Sequence, residues 1–258
     1  MIINFTKLQG AGNGYIAIDG RGLNLSLEEL SKKIGDPKFG VGSDGIVVAE
    51  NSDSATIKMR VFNTDGSEAE MSGNGIRLFS KFIIDNKICL PENNTLIIET
   101  LGGIRTVWPK ILDGKMISGK VAMGKPNFNP KEIPVDVNKI ENNTMIENHL
   151  LRINHPKFSE IKITCLSIGN PHAVCILDTP VEEFPLNEIG PIVENHKLFP
   201  EKTNVTFAQV IDKNNIIVNI WERGAGLTKA CGTAACATAV AALKKKLINN
   251  KVNIKFKE

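Results

Sequence analysis

Two residues in this chain pair a proton-exchanging side chain with a setting that could put it to use. Cys231 ends the stretch Glu222-Arg223-Gly224-Ala225-Gly226-Leu227-Thr228-Lys229-Ala230-Cys231, and Gly232-Thr233 then open a long apolar run that reads as a helix. At a helix N-terminus the backbone N–H groups lack partners and the dipole is positive, so a thiolate is stabilised there and an anion can be held beside it. A thiol tuned in this way acts as a base near neutral pH. The alternative is a small buried cysteine in a tight turn. Ser72 sits in Asn63-Thr64-Asp65-Gly66-Ser67-Glu68-Ala69-Glu70-Met71-Ser72-Gly73-Asn74-Gly75-Ile76-Arg77, again just ahead of a helical run. It reads as a proton-handling hydroxyl or as a helix N-cap, and one residue can be both. Cys236, inside the second helix, reads as packing.

The two stretches are one pattern used twice. Shifting the sequence against itself by 159 positions lays Ser72-Gly73 on Cys231-Gly232. The same shift lays Ile57 to Phe62 on Ile216 to Trp221, two strand-like runs ending ten residues ahead of the Ser or the Cys. It also lays Leu27, Leu30 and Lys33 on Leu186, Ile189 and Ile192, segments with apolar residues at helical spacing. Ser26 with Glu29 forms a capping-box start, and Pro185 marks the start of the matching helix. Helices are expected over Gly75 to Ile84 and Thr233 to Leu243. Gly12-Asn13 and Gly169-Asn170 match at an offset of 157, which implies a small insertion after them. Identity between the halves is low; what agrees is order, element type and spacing.

The chain is therefore expected to form two α/β lobes of matching plan. The first spans residues 1–119 and includes a hairpin from Leu96 to Trp108 turned at Gly102-Gly103. The second spans residues 120–249, and the last strand, Val252 to Phe256, could return to either lobe, so that 250–258 could belong to the first. A cleft between such lobes is a favoured place for a ligand. With Ser72 and Cys231 on opposite flanks of a bound molecule, one group would take an α-hydrogen from one face while the other returned a proton to the opposite face.

Composition narrows the alternatives. The 258 residues carry a formal charge of +3, spread along the chain, with one Tyr and two Trp, which disfavours nucleic-acid binding by stacking. Lys244-Lys245-Lys246 reads as the solvated end of a helix. Met1 to Ala17 has no charged leader followed by an apolar core, and no apolar run reaches the roughly 18 residues of a membrane span. Five cysteines without a CxxC suit reduced thiols in a cytoplasm, and four scattered histidines without an HxxxH argue against a zinc site. Gly40-Val41-Gly42-Ser43-Asp44-Gly45 spells a dinucleotide fingerprint, yet a helix precedes it and the strand-like Ile46-Val47-Val48 follows, the reverse of what pyrophosphate binding requires.

These residues also carry a family likeness. The Gly12-Asn13 start, Phe39 to Gly45, Asn63 to Arg77, Gly169-Asn170-Pro171-His172, Phe199-Pro200-Glu201 to Asn204, and Glu222 to Cys236 together resemble the diaminopimelate epimerases over nearly the whole chain. That family comprises cofactor-independent enzymes that interconvert LL- and meso-diaminopimelate in lysine and cell-wall synthesis. The resemblance implies an α/β (α+β) fold of two pseudo-symmetric lobes, each a curved, mainly antiparallel sheet around a central helix. It implies that Cys231 is one catalytic cysteine and that Ser72 stands where the other belongs. Asn13, Asn63, Asn170 and Asn204 match residues that contact the substrate's polar ends. Gly73-Asn74 and Gly232-Thr233 match two backbone nests for the reacting carboxylate. Glu222 and Arg223 match the pair near the substrate amine and distal carboxylate, and His172 and Glu222 match groups that tune the thiols. A cytoplasmic homodimer acting on a small amino acid, with no cofactor or metal, follows from the same likeness.

Three departures stand out. Gly14 replaces an acidic residue, Leu227 replaces a Glu, and Ser72 replaces a Cys. A serine hydroxyl is far less acidic than a thiol; it can donate a proton but is a poor base without a partner to take its own. Ser72 arises either from deliberate exchange of a cysteine or from divergence of the lineage, since related racemase families accept Ser or Thr at one such position. The function expected is epimerisation of diaminopimelate, impaired by Ser72. A racemase or lyase for another amino acid, and a non-catalytic amino-acid-binding protein, are the alternatives.

Overall fold

The computed structural model describes residues 2–140 and 145–256 and divides into two compact units, Met1–Gly124 and Lys125–Glu258. In the first unit, β1 (Phe5–Gly10) and β2 (Asn13–Asp19) form a hairpin whose two-residue turn, Ala11-Gly12, has φ of 52° and 89°. Positive φ at both central residues matches the strand twist and places Asn13 at the first position of β2. The helix α1 (Leu27–Gly35) then leads to β3 (Gly45–Glu50), which pairs parallel with β2, and β4 (Ile57–Asn63) returns antiparallel. After the short β5 (Glu68–Ala69) come α2 (Gly73–Asp85), β6 (Leu96–Thr100), β7 (Gly103–Leu112) and β8 (Lys115–Val121). The sheet runs β1-β2-β3-β4-β6-β7-β8, with β5 also on β4.

Alternation along the strands sorts side chains onto two faces. Tyr15, Ala17, Val47, Ala49, Met59 and Val61 pack with Ile76, Phe79 and Ile83 of α2, while Ile16, Ile18, Ile46, Val48 and Phe62 pack with α1. Burial on both faces is why β2 and β3 read as unbroken apolar runs. Because α2 is buried nearly all round and touches strands from β1 to β8, the sheet curls about it. This is the curved sheet around a central helix that the resemblance implied.

The second unit begins with β9 (His149–His155) and β10 (Phe158–Ser167), followed by β11 (Pro171–Leu177), α3 (Leu186–Glu194), β12 (Asn204–Asp212), β13 (Asn215–Glu222), β14 (Gly226–Thr228), α4 (Gly232–Lys244) and β15 (Asn253–Phe256). Its sheet runs β14-β13-β12-β11-β10-β9, with β15 also on β13. From β1 the first unit pairs antiparallel, parallel, antiparallel, antiparallel and parallel, and from β10 the second repeats that series. Registers agree as well: Ile46 opposite Phe62 recurs as Val205 opposite Trp221, and Ile57 opposite Ile98 recurs as Ile216 opposite Ile254. The repeat read from the sequence is a repeat of hydrogen-bonded architecture.

Two boundaries differ from expectation, and a third was left open by the sequence. Gly119 lies inside β8, paired with Pro109, so the units divide after Gly124. The last strand joins β13 of the second unit, the counterpart of β6 on β4, so residues up to Phe256 are not part of the first. Thr100 pairs with Gly103, so the hairpin turn is Leu101-Gly102, with Gly103 opening β7 at φ 100°. No helix among the described residues is long and apolar enough to cross a membrane.

Candidate active site

Each unit presents a helix tip of the same construction. Ser72 and Cys231 are the N-cap residues of α2 and α4, with φ, ψ of −130°, 119° and −136°, 119°. Ser72 caps its helix, its Oγ accepting from the Gly75 N–H at 3.0 Å. Cys231 makes no side-chain cap bond to the helix. It is only 8% exposed, and its Sγ lies 3.3 Å from Thr233 Oγ1.

A line of hydrogen bonds converges on that sulfur. His172 Nε2 is 2.9 Å from Asn170 Oδ1, and Asn170 Nδ2 donates to Thr233 Oγ1 at 3.3 Å. An amide oxygen only accepts, so His172 carries its proton on Nε2; Thr233, accepting from Asn170, can give its own proton to a thiolate or take the S–H of the thiol. Burial, with the Arg223 guanidinium nearby, lowers His172 to about 3, so the ring stays neutral. Its Nδ1 is buried without a partner among the described residues. His172 is therefore not the satisfied histidine of a proline turn.

The environment of Cys231 reverses one sequence expectation. The helix tip alone implied a thiol poised as an anion. Burial first, and the Glu222 carboxylate second, push Cys231 up to about 12, against the weaker opposing effect of Thr233 and the Ala234 N–H. Glu222 also receives the Thr228 hydroxyl on Oε1. The free protein thus holds Cys231 as a thiol beside a carboxylate. Cys165 and Cys175, buried in apolar surroundings, are pushed up as well.

Asn204 uses its amide on the protein: Nδ2 donates to the Pro171 carbonyl at 2.8 Å and Oδ1 accepts the Arg223 N–H at 3.0 Å. The next N–H, of Gly224, goes to Glu194 Oε1 at 2.8 Å, and Trp221 Nε1 goes to Glu194 Oε2 at 2.7 Å. The turn carrying Glu222 and Arg223 is therefore pinned from two sides.

In the first unit, Asn74 Nδ2 donates to Asn13 Oδ1 at 2.7 Å, and Arg77 donates to Asn74 Oδ1. Asn13–Asn74 is the counterpart of Asn170–Thr233. Asn63, at the end of β4, turns its amide to Ser67 Oγ at 3.0 Å. Gly14, one of the departures, gives its N–H to Asp44 Oδ2 at 2.7 Å. No group of three or more His, Cys, Asp or Glu among the described residues is arranged to hold a metal.

Sequence reasoning missed Tyr15 and Glu194. Tyr15 OH lies 3.1 Å from Ser72 Oγ. Its position was legible, since Tyr15 follows Asn13 by two residues as His172 follows Asn170. No local signal marks Glu194.

The family model for diaminopimelate epimerase matches residues 5–129 and 164–258. The chain belongs to the diaminopimelate epimerase family. It is 44% identical over 255 residues to the diaminopimelate epimerase of Methanococcus maripaludis, covering 98% of this chain and 88% of that one. It is 41% identical to that of Acetivibrio thermocellus, with the same coverage. Among solved structures, a hydroxyproline epimerase from Agrobacterium vitis with bound trans-4-hydroxy-L-proline superimposes with a TM-score of 0.72 at 11% identity, covering 98% of this chain and 79% of that one. A probable proline racemase from Agrobacterium radiobacter gives 0.67 at 12%, over 95% and 78%. At those identities the two structures speak for the fold. As a member of the diaminopimelate epimerase family, the chain is an isomerase of the epimerase class.

Proposed function

We propose that this chain interconverts LL- and meso-2,6-diaminopimelate by proton transfer at the α-carbon, with Cys231 as the competent acid/base and Ser72 in the opposing role. The observation that carries the reading is Cys231 at an uncapped helix tip in a chain so similar throughout to diaminopimelate epimerases. The N–H groups of Gly73-Asn74 and Gly232-Thr233 would hold the reacting carboxylate as its carbanion gains charge. Asn13, Asn63, Asn170 and Asn204 would fix the polar ends, directly or through the turns they hold, and Arg223 the distal carboxylate. The chemistry asks for no cofactor or metal, and the reading includes a cytoplasmic homodimer.

Electrostatics supports a division of labour. Cys231 rests as a thiol and can protonate a carbanion at once. To act as a base it must lose its proton, and Glu222 opposes that. A substrate ammonium beside Glu222 would cancel the carboxylate charge and make the thiolate accessible when substrate is bound. Ser72 has no such route, so turnover is limited on its side.

The test is Ser72→Cys, which should raise epimerisation of diaminopimelate by about a thousandfold. In deuterated water the unaltered chain should exchange the α-hydrogen of one stereoisomer readily while inverting it slowly. An inert Ser72→Cys protein would remove Ser72 from the site. A second reading, favoured by Ser72 itself, keeps the scaffold for a different amino acid, as a racemase or a lyase; a substrate panel resolved by chiral chromatography separates the two. Tight binding of diaminopimelate with no exchange at all would instead indicate a binding protein.

A further inference from the structure

Ser72 lacks acidity, and the first unit holds a group that could supply it. Tyr15 opens toward α2 from β2, its ring lodged between two glycines. A Cβ on Gly45 would stand 3.2 Å from ring Cε1, and one on Gly75 would stand 3.7 Å from Cζ. The side chain is 7% exposed, and its hydroxyl is 3.1 Å from Ser72 Oγ.

A serine hydroxyl has two lone pairs and one proton. The Gly75 N–H occupies one lone pair of Ser72. Either hydroxyl can be the donor across the 3.1 Å contact; when the Tyr15 O–H takes the second lone pair, the Ser72 proton is what remains to point outward. The repeat places a ring in the same slot of the second unit: Tyr15 pairs with Gly45 at the start of β3, as His172 pairs with Asn204 at the start of β12. The thiol is matched with an imidazole that reaches it through Asn170 and Thr233, and the alcohol with a phenol that touches it directly.

We propose that Tyr15 is a positioning and proton-relay residue that acts through Ser72. As the carbanion's electron pair takes the Ser72 Oγ proton, the Tyr15 proton moves to Ser72 Oγ, so the charge ends on a phenolate instead of an alkoxide. One C–H bond forms, the Ser72 O–H breaks and re-forms, and the Tyr15 O–H breaks. The phenolate, whose unperturbed pKa is about 10, regains its proton from solvent before the next turnover. The inference rests on reading the chain as an amino-acid epimerase.

The experiment places Tyr15→Phe in two backgrounds. Beside Ser72 it should lower the kcat for inversion by about 100-fold with little change in KM, and should remove the alkaline limb of the pH profile. In the Ser72→Cys background it should hardly matter, because a thiol needs no relay. Equal losses in both backgrounds mean a structural role and overturn the proposal, as does no loss beside Ser72. A substrate-free measurement keeps it testable if diaminopimelate proves to be the wrong substrate. Tyr15 is the sole tyrosine, so tyrosinate absorbance reports it alone. Ser72→Ala should raise that titration midpoint by about one pH unit through loss of a hydrogen bond to the phenolate, and Ser72→Thr should restore it. An unmoved midpoint in Ser72→Ala overturns the relay whatever the substrate.

Discussion

Thr233 holds its hydroxyl 3.3 Å from Cys231 Sγ while that same oxygen accepts from the Asn170 amide, so the Thr233 proton is available to the sulfur once it ionises. A hydroxyl donating to sulfur favours the thiolate over the thiol. Thr233→Val keeps the shape and removes that donor. Cys231 should be alkylated up to about tenfold more slowly at a fixed pH of about 9, and the half-buried Asn170 amide, left without its acceptor, should cost up to about 1 kcal/mol of stability. Alkylation rate against pH, mapped to the Cys231 peptide, measures the first effect, and denaturant unfolding the second.

Glu222 acts in the opposite direction. Its charge is the second cause, after burial, of the rise of Cys231 to about 12. Glu222→Gln removes the repulsion but not the burial, so the thiol should come down without returning to 9. Free Cys231 should then alkylate faster at pH 8 than in the unaltered chain, while epimerisation falls. If the alkylation rate at pH 8 is unchanged, Glu222 is not the group holding the proton on sulfur.

His172 makes stability depend on acid. Its folded value is about 3 against an ordinary 6.5, so the unfolded chain binds the proton more tightly. Its stability contribution is fully present above about 6.5 and is lost as pH falls toward 3, with a slope of up to about 1.4 kcal/mol per unit. Cys231 and Cys175, both raised to about 12 from 9, set the alkaline side: their contribution is present below 9 and is lost as pH rises toward 12. Unfolding free energy measured across pH should form a plateau between these limbs, and His172→Gln should flatten the acid limb.

Glu194 holds the turn that carries Arg223, through the Gly224 N–H and the Trp221 indole. Glu194→Ala takes the acceptor from the half-buried Trp221 indole and from the exposed Gly224 N–H, which water can partly satisfy, so a loss of about 1–2 kcal/mol is expected. Glu194→Gln keeps one acceptor and should fold. In that variant KM for diaminopimelate should rise more than kcat falls if, on the proposed reading, the Gly224 anchor chiefly positions Arg223 for the distal carboxylate. A fall in kcat with KM unmoved would place the turn's influence at Cys231 instead.

The sequence by itself determined the doubled plan. Helix α1 is capped by Ser26 as the capping box implied, and β4, α2, β13 and α4 lie where periodicity put them. Those patterns are local, since side chains three or four apart share a helix face and alternate ones share a sheet face. The short motifs around Ser72 and Cys231 were legible for the same reason: a turn, a glycine and a helix start lie within a few residues.

Only the tertiary structure decided what those tips feel. Tyr15 and Ser72 are 57 residues apart, and Asn170 and Thr233 are 63 apart; strand β2 and the bend leading into β11 carry one partner of each pair to the start of a helix remote in sequence. The acidity of Cys231 inverted for that reason. A helix dipole can be read from neighbouring residues, whereas desolvation and the approach of Glu222 across the β13–β14 turn depend on everything packed around the sulfur. Proton affinity is a sum over surroundings, and the surroundings exist only once the chain has folded.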